Sequence, residues 1–200
     1  MEKSAPSPKH LSAKAERLQA LGILLERLLA GINGITLEIG SGHGHFLTAY
    51  AATHRSEVCV GIDIILDRLA RSERKRTRAG LTNLHFVRAE ASEFMEVLPK
   101  HVALEKIFIL FPDPWPKRRH HKNRLMQTAF LTALAARSRS SAKLFFRTDH
   151  VDYFTAATAA LRSHPHWEID ESASWPFELA TVFQERAETH HSCIARLRNR

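Results

Sequence analysis

Cysteine and long hydrophobic runs are scarce in this sequence. Only Cys59 and Cys193 occur among 200 residues, each inside a short apolar run, so we expect two buried free thiols and no disulfide. No 18 apolar residues run together, and the Ser/Pro/Lys-rich start has no apolar signal-peptide core. These absences argue against a secreted, disulfide-stapled or membrane-spanning protein. They favour a cytoplasmic one.

Positive charge is what the chain has in excess. Its 29 Lys and Arg residues outnumber 21 Asp and Glu residues, which gives a net charge of +8 and a pI near 9.9. Such a balance favours an anionic partner, with nucleic acid first among the candidates. The length and the 44% hydrophobic content fit a single domain over residues 1–200, with residues 1–10 as a disordered tail. Monomer and homodimer both stay open.

Short apolar runs alternate with helix-compatible segments along most of the chain. The predicted strands are 35–39, 57–63, 84–87, 107–111 and 143–149. The predicted helices are 11–30, 45–53, 64–79, 91–98, 124–137 and 151–163. Two last strands, 167–170 and 191–198, have no long helix between them and predict an antiparallel hairpin at the sheet edge. We therefore predict an α/β fold: a mostly parallel seven-stranded sheet with helices on both faces.

A glycine-rich loop follows the first predicted strand. Gly40, Gly42 and Gly44 stand at alternate positions, where they permit positive φ and close approach of a ligand to the backbone. The spacing is G-x-G-x-G, whereas dinucleotide-binding loops have G-x-G-x-x-G, so a ligand without a pyrophosphate is expected. Glu38 precedes this loop.

Acidic residues end or follow the next two strands. Asp63 lies some twenty residues beyond the glycine loop, where a carboxylate can accept hydrogen bonds from ribose hydroxyls. Glu90 either accepts from an adenine amino group or caps the next helix, and the sequence leaves both open. Together these features fit a nucleoside joined to a small zwitterion, such as S-adenosylmethionine. Its cationic groups would favour a nearby acid such as Glu38.

The stretch FPDPWPKRRHHKNR, residues 111–124, follows the fourth strand. Its three alternating prolines predict an extended backbone, which would place Asp113, Trp115 and Lys117 on one side. A planar base could be held there, with Asp113 accepting from its N–H edge. The basic residues that follow suit phosphate contact. They are Lys117, Arg118, Arg119, Lys122 and Arg124.

Two other groups of residues are assigned less specific roles. The basic run at 68–78 is interpreted as a solvated helix face. The chain has 13 histidines, including His43 and His45, but none has a recognised ligand spacing with a carboxylate or cysteine partner. No metal site is expected.

Several motifs, in order, resemble the tRNA (guanine-N7)-methyltransferases of bacteria. They are EIGSGHGHF, GIDI, the acid after the third strand, FPDPWPKRRHHKNRL, RTDH and TVFQER. The resemblance covers roughly residues 35–198. It implies a Rossmann-like methyltransferase fold, S-adenosylmethionine as methyl donor, and transfer to N7 of a guanine in the variable loop of tRNA.

The resemblance also implies roles for single residues. The cofactor side would comprise Glu38, Gly40, Gly42, Gly44, Asp63, Glu90 and Asp113. Asp113 would also be the catalytic residue. Guanine N7 has a free lone pair and needs no general base, so Asp113 is interpreted as an orienting and electrostatic group.

The substrate side would comprise Lys117, Asp149, Thr181, Gln184 and Arg186. Two positions depart from the family pattern: Gln184 replaces a glutamate, and Asn123 stands where an arginine usually continues the basic run.

Three alternatives to this function remain. An enzyme of the same fold acting on an exocyclic amine is one, because Asp113-Pro114-Trp115 is close to the D-P-P-[YFW] turn of amino-methyltransferases. A non-catalytic RNA-binding protein that kept the fold is another. An oxidoreductase is the weakest, since the loop spacing does not suit a dinucleotide.

Overall fold

The computed structural model describes residues 8–179 and 189–198. Its helices are α1 (Pro8–Leu28), α2 (His45–Thr53), α3 (Leu66–Arg78), α4 (Ala91–Val97), α5 (Thr128–Arg137) and α6 (Val151–Ser163). Its strands are β1 (Gly34–Ile39), β2 (Cys59–Asp63), β3 (Leu84–Arg88), β4 (Ala103–Leu110), β5 (Ser138–Thr148), β6 (Trp167–Ile169) and β7 (His191–Leu197). A short 3₁₀ helix, Arg118–Asn123, follows β4.

The strands form one seven-stranded sheet in the order β3-β2-β1-β4-β5-β7-β6. The first five strands pair in parallel, and β7 is antiparallel to both β5 and β6. The predicted α/β class, the mostly parallel sheet and the antiparallel C-terminal hairpin are confirmed. Strand order reverses between β1 and β4, and ligands of open α/β sheets bind at the carboxyl ends of strands beside such a reversal.

Both faces of the sheet are covered, as predicted. Helices α1, α4, α5 and α6 pack in succession on one face, and α2 with α3 packs on the other. Side chains of central strands alternate between the two cores: Ile107 and Ile109 of β4 belong to the first, and Phe108 between them to the second. Cys59 and Cys193 are free and buried, as expected.

Strand β4 begins four residues earlier than predicted because side chains of neighbouring segments pair with its charged residues. Lys106 donates to Glu57 at 2.5 Å and to the Tyr50 hydroxyl at 2.9 Å. Glu105 pairs with Arg139 of β5 at 2.8 Å. Charged side chains that are paired can be accommodated within a sheet, so the polar interruption in the sequence does not end this central strand.

The predicted N-terminal tail is too long. Residues 8–10 belong to α1, and a proline at the first helical position is compatible with a helix because the missing N–H would have had no partner. Residues 1–7 lie outside the described part of the chain. Among the described residues, no helix has both the length and the apolar character required to cross a bilayer.

Candidate functional site

A cavity of about 300 Å³ opens at the carboxyl ends of β1, β2 and β4, where the strand order reverses. Its wall is contributed by the ends of four parallel strands and by the residues that follow them. These are Ile39, Gly40, Ile62, Asp63, Ile64, Ile65, Arg68, Ala89, Ala91, Leu110, Phe111, Pro112, Asp113, Trp115, Asn123 and Leu125. The cavity therefore brings the glycine loop, the acid of β2 and the proline-rich stretch together.

The glycine loop has the left-handed backbone that its sequence predicts. Gly40, Gly42 and Gly44 have φ of 77°, 54° and 70°. A Cβ on Gly40 would meet no atom within 4 Å, so that backbone faces open space. A Cβ on Gly44 would lie 2.6 Å from the Phe86 ring and 2.8 Å from Ser72, so that glycine serves close packing.

Helix α3 holds the glycine loop in place. The buried Ser72 hydroxyl donates to the Gly42 carbonyl at 3.0 Å, and Lys75 Nζ donates to the His43 carbonyl at 2.8 Å. Neither of these two hydrogen bonds is apparent from the sequence. An alternation of basic residues along a helix gives no sign that one of them reaches a loop 32 positions away.

Asp63 is oriented by backbone amides on both of its carboxylate oxygens. Oδ2 accepts from Gly42 N and Oδ1 from Ile65 N, each at 2.9 Å. Arg68 lies 3.8 Å from Oδ2. These contacts leave lone pairs on a buried carboxylate whose position is fixed, which is the geometry required to receive a pair of hydroxyls.

Glu38 is buried beneath the glycine loop, with only 4% of its surface exposed. Its Oε2 has no hydrogen-bond partner among the described residues. Burial, reinforced by the nearby negative charge of Asp63, raises the pKa of Glu38 well above its ordinary value. Buried polar oxygens normally have hydrogen-bond partners, so this oxygen is a candidate to bind a polar group of a ligand.

Glu90 occupies the position before α4, but its side chain does not cap that helix. Its carboxylate accepts from the Ser92 hydroxyl at 3.0 Å and is exposed to solvent. Of the two predicted roles, side-chain capping is wrong. Its neighbours Ala89 and Ala91 line the cavity.

The proline-rich stretch departs from the extended conformation predicted for it. Phe111 and Trp115, each followed by proline, have φ of 48° and 46°. Positive φ is strained for bulky residues, by roughly 1–3 kcal/mol each, and such strain clusters at functional sites. Asp113 and Trp115 nevertheless line the same cavity, whereas Lys117 does not. The prediction that all three share one side is therefore wrong for Lys117.

Asp113 is exposed at the end of β4, and no hydrogen bond or ion pair within the described part of the chain occupies its carboxylate. Trp115 packs edge-on against His120, with ring centroids 5.8 Å apart. Asn123, one of the two residues that depart from the family pattern, contributes to the cavity wall.

Arg124 is not exposed for the phosphate contact that its place in the basic run predicted. It is buried, its Nε donates to the Pro114 carbonyl at 2.8 Å, and its guanidinium lies over the Tyr153 ring at 5.0 Å. It therefore supports the turn that carries Asp113. The other four basic residues of the run, at 117, 118, 119 and 122, are exposed.

The predicted substrate-side residues are divided between described and undescribed parts of the chain. Lys117 is exposed before the 3₁₀ helix, and Asp149 is exposed just after β5, the neighbour of β4. Both thus lie at the sheet edge that carries the cavity. Thr181, Gln184 and Arg186 lie outside the described residues.

Metal-binding groups and a second cavity were also sought among residues 8–179 and 189–198. Within those ranges, no group of three or more His, Cys, Asp or Glu side chains is arranged to hold a metal ion. A larger cavity of about 480 Å³ lies beside β7 and α6, lined by Arg147 and Trp175 among others, and none of the predicted site residues borders it.

Solved structures that share this fold include methyltransferases. The antibiotic-resistance methyltransferase Kmr superimposes with a TM-score of 0.56 at 22% identity, over 88% of this chain and 93% of its own. The fold is therefore the Rossmann-like methyltransferase fold that the resemblance implied.

The family of the chain follows from its sequence. The family model described as "Putative methyltransferase" matches residues 33–197, and the chain belongs to that family. This chain is 36% identical over 160 residues to the tRNA (guanine-N(7)-)-methyltransferase of Magnetococcus marinus, and the match covers 78% of this chain and 62% of the relative. It is 31% identical over 150 residues to the enzyme of that name from Corynebacterium diphtheriae, covering 75% and 57%. The match thus spans about three fifths of these relatives, and the family resemblance is confirmed.

Proposed function

We propose that the protein is a tRNA (guanine-N7)-methyltransferase that uses S-adenosylmethionine. The observation that carries the proposal is a single cavity that contains both Gly40 with Asp63 and Asp113 with Trp115. A methyl donor on the first pair and a planar acceptor on the second would be held in one cavity. Placing two reactants together supplies much of the rate enhancement when neither needs activation.

The residues around the glycine loop fit the proposed cofactor. Glu38 offers a buried oxygen without a partner among the described residues to a cationic amino group, and Gly40 presents open backbone. Asp63 has a fixed carboxylate for ribose hydroxyls. Ile64, Ile65 and Leu66 are exposed aliphatic side chains immediately beyond it, suited to cover a purine. When bound, S-adenosylmethionine supplies a methyl group on an electrophilic sulfonium.

The proline-rich stretch would hold the acceptor. Asp113 can accept from the N–H edge of a guanine and offset the positive charge that develops on its ring. Trp115 contributes an aromatic wall beside it. Guanine N7 has no proton to remove, which accords with an exposed acid that has no paired base among the described residues.

The proposal that the substrate is tRNA draws support from the names of the relatives and from charge. The exposed residues Lys117, Arg118, Arg119 and Lys122 stand beside the cavity with no acidic residue among them. Such a run suits backbone phosphates on either side of an extruded base.

A modified transcript tests the acceptor atom. The protein is incubated with methyl-labelled S-adenosylmethionine and with tRNA transcribed either with guanosine or with 7-deazaguanosine, which lacks N7. We expect label in the first transcript and none in the second. Equal labelling of both would overturn N7 as the acceptor and favour an exocyclic amine. Label in neither, with cofactor binding measured separately, would favour a non-catalytic RNA-binding protein.

A further inference from the structure

Positive charge is concentrated in two short segments of the chain. Helix α3 contains six Lys or Arg and two acidic residues, and residues 117–124 contain five Lys or Arg and no acidic residue. The remaining residues contain 18 basic and 19 acidic side chains, out of the totals of 29 and 21. The net charge of +8 therefore comes entirely from these two segments.

Three arginines of α3 form what we term the α3 basic face: Arg71, Arg74 and Arg78. Their spacing of three and four places them on one stripe of the helix, and all three are exposed. Within the described part of the chain, none of them forms an ion pair. The acid Glu73 pairs instead with Arg76 on another side of the helix.

The α3 basic face lies close enough to neighbouring titratable side chains to affect their pKa values. The pKa of Lys75 is lowered, first by burial and then by the charges of Arg71, Arg74 and Arg78. The pKa of His43 in the glycine loop is lowered by burial and then by Arg71, Lys75 and Arg68. Repulsion of this kind costs stability unless an anion compensates it.

The α3 basic face is continuous with the cavity. Arg68, one turn before Arg71, lines the cavity wall, as does Asn123 from the other basic segment. The cavity thus lies between the two basic segments. From Arg68 to Arg78 the helix extends about 15 Å, enough to meet several phosphates of one strand.

We infer that the α3 basic face is a second phosphate-binding surface, which contacts the tRNA backbone on the side of the cavity opposite residues 117–122. The inference rests on the proposed tRNA substrate and replaces the interpretation of 68–78 as a merely solvated face. Binding on both flanks would orient the RNA so that the target guanine lies over the cavity. Arg71, Arg74 and Arg78 would contribute affinity and orientation, and no chemistry.

A charge-neutralising variant tests this inference. Arg71, Arg74 and Arg78 are replaced together by glutamine, which keeps helix propensity nearly unchanged. The matched control replaces Arg27, Arg55 and Lys100, exposed cations close to the start of β1, β2 and β4 at the opposite edge of the sheet. Binding of an unmodified tRNA transcript is measured between about 50 and 300 mM KCl, and the slope of log K against log salt is compared. Thermal unfolding verifies that each variant is folded.

The inference predicts a salt slope shallower by about 2 in the α3 variant, since each phosphate contact contributes roughly 0.7–0.9. The control variant should keep the wild-type slope. An unchanged slope in the α3 variant, or an equal loss in the control, would overturn the inference. The proposed function has a separate readout: wild-type protein that yields no 7-methylguanosine refutes the activity, whatever the slopes are.

Discussion

Arg124 Nε donates a hydrogen bond to the Pro114 carbonyl oxygen at 2.8 Å, and so joins the end of the basic run to the turn that follows Asp113. The guanidinium is buried against Tyr153 of α6. Asp113 is exposed and lies between two residues with strained positive φ, Phe111 and Trp115. The position of the proposed catalytic carboxylate therefore depends on a contact made by a residue eleven positions further along the chain.

Replacing Arg124 by methionine should lower kcat and stability without altering the salt dependence of tRNA binding. A hydrogen bond from a charged donor contributes about 2 kcal/mol, and a misplaced turn should reduce kcat by roughly ten- to a hundredfold. Lys122→Met is the matched control, because it removes the same charge from an exposed position in the same run. It should make the salt slope shallower and leave the unfolding temperature unchanged. A shallower salt slope and an unchanged unfolding temperature for the Arg124 variant would show that Arg124 binds phosphate.

Asp113→Asn should lower kcat by roughly a hundredfold or more while the folded structure is retained. The amide keeps the size of the side chain but loses the negative charge that would offset charge on the guanine ring. Single-turnover methyl transfer, with circular dichroism as the check on folding, measures the effect. A variant that transfers methyl groups at close to the wild-type rate would remove Asp113 from its proposed role.

Gly40→Ala and Gly44→Ala should differ in stability although both glycines have positive φ. Alanine in the left-handed region costs about 1–2 kcal/mol at either position. At Gly44 the new Cβ also collides with Phe86 and Ser72, and overpacking adds roughly 1–3 kcal/mol. Urea unfolding should therefore show the larger loss for Gly44→Ala. Equal losses would contradict the packing role of Gly44.

Glu38→Gln should stabilise the protein in the absence of cofactor, increasingly so as the pH rises. The raised pKa means that folded Glu38 keeps its proton above the ordinary value of 4.5, where unfolded Glu38 has lost it. The folded state then binds more protons, so wild-type stability falls as the pH rises through this range, and the variant avoids that loss. Unfolding temperatures of the wild type and the variant from about pH 5 to pH 8 measure the difference. The control is Glu26→Gln, because Glu26 is exposed.

The same Glu38→Gln variant should bind S-adenosylmethionine more weakly, by roughly tenfold or more, because a charge-assisted hydrogen bond is lost. Calorimetric titration of the cofactor into the free protein provides the measurement. Unchanged affinity would mean that the buried Oε2 faces no cationic group of the ligand.

The sequence was sufficient to predict the order of elements. Of the residues predicted for the cofactor side, Gly40, Asp63 and Asp113 line the cavity. The others, Glu38, Gly42, Gly44 and Glu90, do not. Periodicity located the strand ends, and in a parallel sheet those ends lie at one edge, so Gly40 and Asp63 were correctly expected together. The 45–53 and 151–163 helices have the bounds predicted for them.

What the sequence could not supply depends on contacts between distant residues. The start of β4 depends on Lys106 meeting Glu57 and Tyr50, which lie on other elements. In the sequence, Arg124 is indistinguishable from the exposed cations of the basic run. Only the structure shows its contacts with the Pro114 carbonyl and the Tyr153 ring. Local rules for residues before proline also failed at Phe111 and Trp115, where tertiary packing holds a strained backbone.

The most direct test of the account is the identity of the methylated nucleoside. Purified protein is incubated with an unmodified tRNA transcript and methyl-labelled S-adenosylmethionine, and the RNA is digested to nucleosides for mass spectrometry. We expect labelled 7-methylguanosine from a guanosine of the variable loop. Label on an exocyclic amine, or no label from a protein shown to bind both cofactor and tRNA, would contradict it.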